Sequence, residues 1–370
     1  MTLTSIKTEN FRNLHTQQVC FTQGINVILG SNGQGKTNLL EAVYMLSITK
    51  SMRGARDRDC VSFGQEWARV SGTAEDGEND PQTFELLITP AGRKLKLDGV
   101  EERSARDWIG RLPVVFFGPQ ELDAVRAGPS RRRRMLDAAL CQTDPRYTRA
   151  LARYKRAYEH KKSILRAVNN AAQSMAETLP EFDRQLAVHG AVITLARAAY
   201  TRKLAELAAK YHADISGGAE ALSVGYKPNV EIPDGSAQTA ETLLLDALET
   251  ARPRDLRAGR TQTGVLHDDV ALEINGREAR LFASQGQSRT AAVALKLAER
   301  DILKKALGRT PILLLDDVMS ELDAGRRAYL LDAGAKSVPG QCLITDCGGF
   351  TGADIGNTIY INDGRITQDG

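Results

Sequence analysis

The chain has 370 residues, enough for two or three domains with a sizeable core, and its 42% hydrophobic and 26% charged residues are those of an ordinary soluble protein. A net charge of +3 is too small to argue for nucleic acid unless the cations are concentrated in one place. Five scattered cysteines without a CxxC pair, and histidines that do not cluster with them, argue against a zinc site or a disulfide framework. Free thiols, no basic-then-apolar leader and no run of eighteen apolar residues lead us to expect a soluble, cytoplasmic protein with no membrane partner.

In chain order, Leu3 to Lys7 is short and rich in β-branched residues, which predicts a strand. Ile25 to Leu29 reads as a buried strand running into a glycine-rich turn, and Lys36 to Ile48 carries apolar residues at helical spacing. Between about Val61 and Phe117 the pattern is β, with Asp98-Gly99 as a hairpin turn and Pro113 to Phe117 as an apolar strand. From about Ser130 to His212 the stretches are helical, interrupted at Pro180 and stopped by Gly217-Gly218. Pro228 to Ser236 reads as a loop. The β signal returns after Thr261, with an Asn275-Gly276 hairpin inside Val270 to Phe282. A helix over Ser288 to Leu307 then leads to strands at Ile312 to Asp316, Cys342 to Thr345 and Thr358 to Ile361. The expected fold is an α/β head interrupted by a mostly helical insertion: residues 1–120 and 256–370 form the head, and 121–255 the helical arm.

Gly30-Ser31-Asn32-Gly33-Gln34-Gly35-Lys36-Thr37 satisfies G-x-x-x-x-G-K-[ST] between a predicted strand and a predicted helix, the context this motif requires. Its glycines let backbone N–H groups turn inward around phosphate oxygens, and the helix N-terminus adds a favourable dipole. Lys36 is placed to bridge the outer phosphates of ATP, and the Thr37 hydroxyl to ligate Mg2+. The apolar strand Ile312 to Leu315 ends in Asp316-Asp317, which puts acids at the sheet's C-terminal edge beside such a loop. Asp316 is the candidate for magnesium; Asp317 is the candidate to orient a water or accept its proton.

Further segments carry a family resemblance. Phe282-Ala283-Ser284-Gln285-Gly286-Gln287 lies just before a predicted helix, Ser320-Glu321-Leu322-Asp323 follows the second acid, and Asn10-Phe11-Arg12-Asn13-Leu14 opens the chain. With Gly128-Pro129-Ser130 and the arginines 131–134, these closely resemble the RecF family of SMC/ABC-type ATPases over the whole chain. The resemblance implies an ABC-ATPase-like head in which the signature Ser284, Gln285, Gly286 and Gln287 of one subunit meets the terminal phosphate held by the other, so that ATP joins a homodimer. It also implies nucleotide contacts for Arg12 and Asn13, a Q-loop at Gln120 and a D-loop at Ser320 and Asp323. Two departures stand out: Leu266-His267 replaces the family's His-Arg before Asp268-Asp269, and Thr345-Asp346 stands where ABC proteins often carry a switch histidine. These features, with the short Asp317, point to slow hydrolysis.

Arg131 to Arg134 form an unbroken basic run, and Arg146, Arg149, Arg153 and Arg156 recur every three or four residues with Lys155, Lys161 and Lys162 nearby. Such spacing lines cations along one helix face, suited to a phosphate backbone. A charge run is also commonly a solvated face, and some arginines of the run can pair with acids inside the protein; the residues alone leave this open. With the resemblance, Arg131, Arg132, Arg149, Arg153, Arg156, Lys161 and Lys162 are the candidates for duplex contact. The resemblance implies an ATP-dependent DNA clamp or loader at junctions of single- and double-stranded DNA, a weak DNA-dependent ATPase that works with RecR and RecO in gap repair, replication restart and SOS induction. The alternatives are a nucleotide-gated DNA-binding scaffold with negligible hydrolysis, and a soluble ATPase subunit of another ABC system.

Overall fold

The structure is a computed structural model and describes the whole chain except residues 78–79, 103, 170–172, 234, 333–339, 349–354 and 369–370. In chain order the first elements are β1 (Thr2–Glu9), β2 (Gln17–Cys20), β3 (Gly24–Leu29), α1 (Lys36–Ile48), α2 (Asp57–Cys60), β4 (Ala68–Glu75), β5 (Gln82–Thr89), β6 (Gly92–Leu97), β7 (Val100–Glu102), α3 (Ala105–Trp108), β8 (Val114–Phe117) and α4 (Pro119–Leu122). Then come α5 (Pro129–Thr143), α6 (Pro145–Asn169), α7 (Leu179–Ser216), β9 (Leu222–Lys227), α8 (Ala237–Ala258), β10 (Asp269–Ile274), β11 (Arg277–Glu278) and α9 (Ala279–Phe282). The last are α10 (Gln285–Leu307), β12 (Ile312–Asp316), α11 (Ala324–Leu331), β13 (Gln341–Asp346), β14 (Ile355–Asn362) and β15 (Arg365–Gln368).

The chain divides into two compact units. The first comprises Met1–Val125, Lys210–Glu220 and Ser284–Gly370; the second comprises Arg126–Ala209 and Ala221–Ala283. In the first unit one sheet has the order β15-β14-β3-β13-β12-β8, parallel except for the β14/β15 pair. N-terminal β3 is thus sandwiched between C-terminal β13 and β14, which is why a head needs both ends of the sequence. The other sheet, β2-β1-β4-β5-β6-β7, is antiparallel, and its β4 alternates buried and half-exposed residues with the period of two expected of a one-sided sheet.

Helix α1 packs against strands of both sheets, so it cannot be amphipathic. Leu39, Leu40, Ala42, Val43, Met45 and Leu46 are fully buried, in one cluster with Ile6 and Phe84 of the antiparallel sheet and Leu314 and Leu343 of the parallel one. Trp108 Nε1 donates to Leu46 O at 2.6 Å, satisfying an indole buried in that cluster. Burying each leucine is worth about 1.5–3 kcal/mol. That anchorage gives the helix N-terminus, where the phosphate motif ends, a rigid seat.

The second unit holds α5, α6, α8 and the small antiparallel sheet β11-β10-β9. Here the structure departs from expectation. The insertion extends past residue 255, because β10 pairs with β9 from Asp269↔Lys227 to Ile274↔Leu222 and so stays with the inserted part. The Asn275-Gly276 hairpin has a second arm of only two residues before α9 begins. Strand β9 and helix α8, which continues through Pro253, are not signalled by the sequence pattern.

Candidate functional site

The parallel register brings the site together. Leu29 of β3 pairs with Asp346 of β13, and Asp316 of β12 pairs with Thr345, so the ends of three strands lie side by side. The phosphate motif leaves β3 and the acids leave β12 at the same sheet edge, where ligands bind in open α/β folds. A cleft of about 490 Å3 opens there, lined by Lys36, Thr37, Gln120, Asp316 and Asp317 among others, all from the first unit.

Glycine is required at two points of the loop. A Cβ on Gly30 would lie 2.3 Å from Ile361 O, and Gly35, with φ of +120°, would bring a Cβ within 2.9 Å of the Leu14 side chain. Lys36 is almost fully buried, and its ammonium uses its donors on Gly30 O (2.7 Å), Ser31 O (3.2 Å) and Cys347 Sγ (3.4 Å). The cation is therefore folded onto its own loop. Asn32 Oδ1 accepts from Cys347 Sγ at 3.0 Å, and Gln34 O accepts from Gly364 N at 2.9 Å. These two bonds tie the loop to the turns at the ends of β13 and β14.

Thr37 Oγ1 donates to Asp316 Oδ1 at 2.8 Å, and Thr345 Oγ1 donates to the same oxygen at 2.9 Å. Burial pushes the Asp316 carboxyl above its ordinary range, while the two threonine hydroxyls pull it back. An oxygen-only pair of hydroxyl and carboxylate, beside a phosphate loop, fits a magnesium ion that keeps most of its shell as water and phosphate. Asp317 has φ of +50°, a left-handed conformation that aspartate tolerates better than most residues, and its N–H donates to Thr345 Oγ1 at 2.9 Å. Thr345 thus serves both acids, a role the sequence did not suggest.

Other candidates are placed less directly. The Arg12 guanidinium is engaged by Glu41 (2.9 and 3.1 Å) and Asp59 O (2.5 Å), and Arg12 does not line the cleft. Asn13 instead braces the loop: its Nδ2 donates to Gly33 O at 3.4 Å and its Oδ1 accepts from Asn38 at 2.6 Å. Gln120 lines the cleft. Two charged lining residues went unnoticed in sequence. Arg53 follows α1 in a turn and reaches Asn38 and the buried Glu41; Glu121 accepts from Gly118 N at 3.1 Å, and burial raises its pKa. A signal for Arg53 existed in the Ser51-Met52-Arg53-Gly54 turn directly after the motif's helix.

The signature turn is built differently from expectation. Helix α10 starts at Gln285, not Ser288, because Ser284 is its N-cap: Ser284 Oγ accepts from Gln287 N at 3.1 Å, and Gln287 Oε1 accepts from Ser284 N at 2.9 Å. Gln285, Gly286 and Gln287 form the first helical turn. The four residues do not line the cleft of their own chain. Asp323 likewise caps α11, accepting from Arg326 N at 2.9 Å, and Ser320 Oγ donates to Asp317 O at 2.9 Å.

Among the basic candidates in the second unit, two must be withdrawn. Lys161 is fully buried, 2.6 Å from Asp183 and 3.4 Å from Asp255; Arg132 is buried and forked onto Asp269 at 2.8 Å twice. A cation out of solvent and already paired has nothing left for a phosphate. Arg133 donates to Asp268 O at 2.6 Å, and Asp268 itself is held by Arg197 at 2.8 Å and by Asn229 N at 2.8 Å. The acids of the Leu266-His267-Asp268-Asp269 segment thus serve the interior. Exposed Arg149, Arg153 and Arg156 share a face of α6, Lys162 pairs with Glu159 beside them, and Arg131 is half-buried.

The family model described as RecF/RecN/SMC N terminal domain matches residues 2–345. A curated relative, the "DNA replication and repair protein RecF" of Geobacillus kaustophilus (strain HTA426), is 37% identical over 347 residues, covering 93% of this chain and 92% of its own length. The same-named protein of Bacillus mycoides (strain KBAB4) is 33% identical over 99% of this chain and 98% of its own. A solved structure described as "Structure of the recombination mediator protein RecF-ATP in RecFOR pathway" superposes with a TM-score of 0.89 at 34% identity, over 100% of this chain and 97% of that one. An Smc head domain from Pyrococcus furiosus shares the fold, with a TM-score of 0.56 at 15% identity over 99% of this chain and 95% of that one. The phosphate loop, the twin acids at the neighbouring strand end and these likenesses lead to one conclusion: the chain belongs to the RecF family of DNA replication and repair proteins.

Proposed function

We propose that this chain is an ATP-dependent DNA clamp of the recombination-mediator type, a slow, DNA-stimulated ATPase that dimerises on ATP. The observation that carries the proposal is the row Thr37–Asp316–Thr345, a hydroxyl–carboxylate–hydroxyl relay at the end of the phosphate loop. ATP binding is supported by the relative solved with it.

In this reading Lys36 leaves the loop carbonyls for the outer phosphates, exchanging neutral acceptors for a charge-assisted contact. Thr37 and Asp316 hold magnesium, which when bound neutralises charge on the phosphate oxygens. Asp317 accepts the proton of the attacking water, and Gln120 orients it from the cleft wall. Ser284 and Gly286 of a second copy, with the N-terminus of α10, cap the terminal phosphate. Ser320 and Asp323 border that contact. Arg149, Arg153 and Arg156 hold duplex near a single-strand gap through its phosphates, without reading bases. RecR and RecO are the proposed partners, so that RecA replaces single-strand-binding protein at the gap, in keeping with the RecFOR pathway to which a relative is assigned.

A population of monomers taken from about 1:99 to 99:1 in favour of the dimer requires ATP to bind the dimer some 10⁴-fold more tightly. Sedimentation with ATP, ADP or no nucleotide, with and without duplex, reads this directly. Lys36→Met is expected never to dimerise; Asp317→Asn is expected to dimerise and persist on DNA. Wild-type chain that stays monomeric with saturating ATP and magnesium would overturn the proposal. An ATPase docked on another ABC system would bind no duplex at all.

A further inference from the structure

The signature turn carries a cation that lies outside the motifs named above. Arg326, on the first turn of α11, reaches back to the start of α10. Its Nε donates to Thr290 Oγ1 at 2.8 Å, and that hydroxyl donates in turn to Gly286 O at 3.1 Å. Its Nη1 pairs with Asp323. The fork is therefore held from two sides, by the signature helix and by the D-loop.

The remaining nitrogen, Nη2, has no acceptor among the described residues. It lies at the open side of Gly286: a Cβ built there would be 3.4 Å from Arg326 Nη2 and 3.9 Å from Ser284 Oγ. The missing side chain thus leaves a notch bordered by a guanidinium and a hydroxyl at the first turn of a 23-residue helix. Arg326 keeps 26% of its side chain exposed, so the free donors reach solvent. A guanidinium locked by two partners with one nitrogen unspent is preorganised for an incoming phosphate oxygen, because little side-chain entropy remains to be lost.

We propose that Arg326 binds the terminal phosphate of ATP held in the phosphate loop of a second copy, acting beside Ser284 and Gly286. This rests on the dimer reading above and adds its missing positive charge. Without Arg326 the capping turn offers a phosphate only a hydroxyl, backbone N–H groups and a helix dipole. With it, the turn discriminates ATP from ADP by charge as well as shape.

The test separates action on a second copy's nucleotide from a role in the chain's own nucleotide cleft. Arg326→Ala should bind a fluorescent ATP analogue as an isolated chain within twofold of wild type, since Arg326 does not line its own cleft. Its ATP-driven dimerisation should weaken at least tenfold, and Arg326→Lys should recover part of that. The decisive arm mixes Arg326→Ala with Lys36→Met. Each mixed dimer contains one composite site with an intact loop and an intact Arg326, so the mixture should hydrolyse ATP where neither variant does alone. No recovery on mixing, or an isolated Arg326→Ala chain that has lost ATP affinity, would overturn the assignment and leave Arg326 a brace within its own chain. Arg326→Ala dimerising like wild type would also overturn it. A wild-type chain that never dimerises would bring down the dimer reading and this assignment with it.

Discussion

Lys161→Ala should unfold the second unit far more readily, without touching a DNA contact. The ammonium is fully buried with two fully buried carboxylates, Asp183 at 2.6 Å and Asp255 at 3.4 Å. Asp183 would keep the Arg252 fork, whose Nε and Nη2 donate to it at 2.9 and 2.8 Å. Asp255 would keep only Gln262 N at 3.3 Å, a long bond from a neutral donor. One buried carboxylate is therefore left nearly uncompensated, and breaking a buried pair in this way costs about 3–5 kcal/mol. Both tryptophans, Trp67 and Trp108, lie in the first unit, whereas α5, α6 and α8 lie in the second. Denaturation followed at 222 nm should shift markedly, while the tryptophan fluorescence transition should move less. Arg153→Ala, at an exposed position, should stay within about 0.5 kcal/mol of wild type. A Lys161→Ala chain with an unchanged circular-dichroism midpoint but weakened duplex affinity would refute the burial reasoning and restore Lys161 to the DNA face.

Three further outcomes can be checked. Gly30→Ala forces a Cβ against Ile361 O at 2.3 Å, an overpacking worth about 1–3 kcal/mol, so ATP affinity by titration calorimetry should fall clearly, whereas Gly33→Ala, with nothing within 4 Å, meets no clash and carries only the strain of its φ of +81°. Because burial raises Asp316 above the ordinary carboxylate value of about 3.9, magnesium-dependent nucleotide affinity should begin to fall at a higher pH than that on acidification. In the unliganded chain the sign reverses: the folded state takes the proton first, so the stability this group contributes is present at low pH and lost as pH rises through its folded pKa. Alanine at Arg149, Arg153 and Arg156 together should reduce the salt dependence of duplex binding by about 0.9 per lost phosphate contact; an unchanged slope would remove α6 from the DNA face.

What could be read from sequence was what is contiguous in it. The phosphate loop, its strand and helix, and the apolar strand ending in Asp316-Asp317 each carry their pattern within thirteen residues or fewer per element, since backbone turns and buried strands impose local residue choices. The interruption of an α/β head by helices was legible for the same reason, from the change of period near residue 130. The long-range pairings were not. Arg132 meets Asp269 across 137 positions and Lys161 meets Asp255 across 94, and no local periodicity distinguishes a cation so paired from one facing solvent. The parallel register likewise decided that Thr345 would serve both acids, and the reciprocal bonds of Ser284 and Gln287 decided where α10 begins. The local chain chooses turns and faces. Only its folding back on itself determines which charges are left for a ligand.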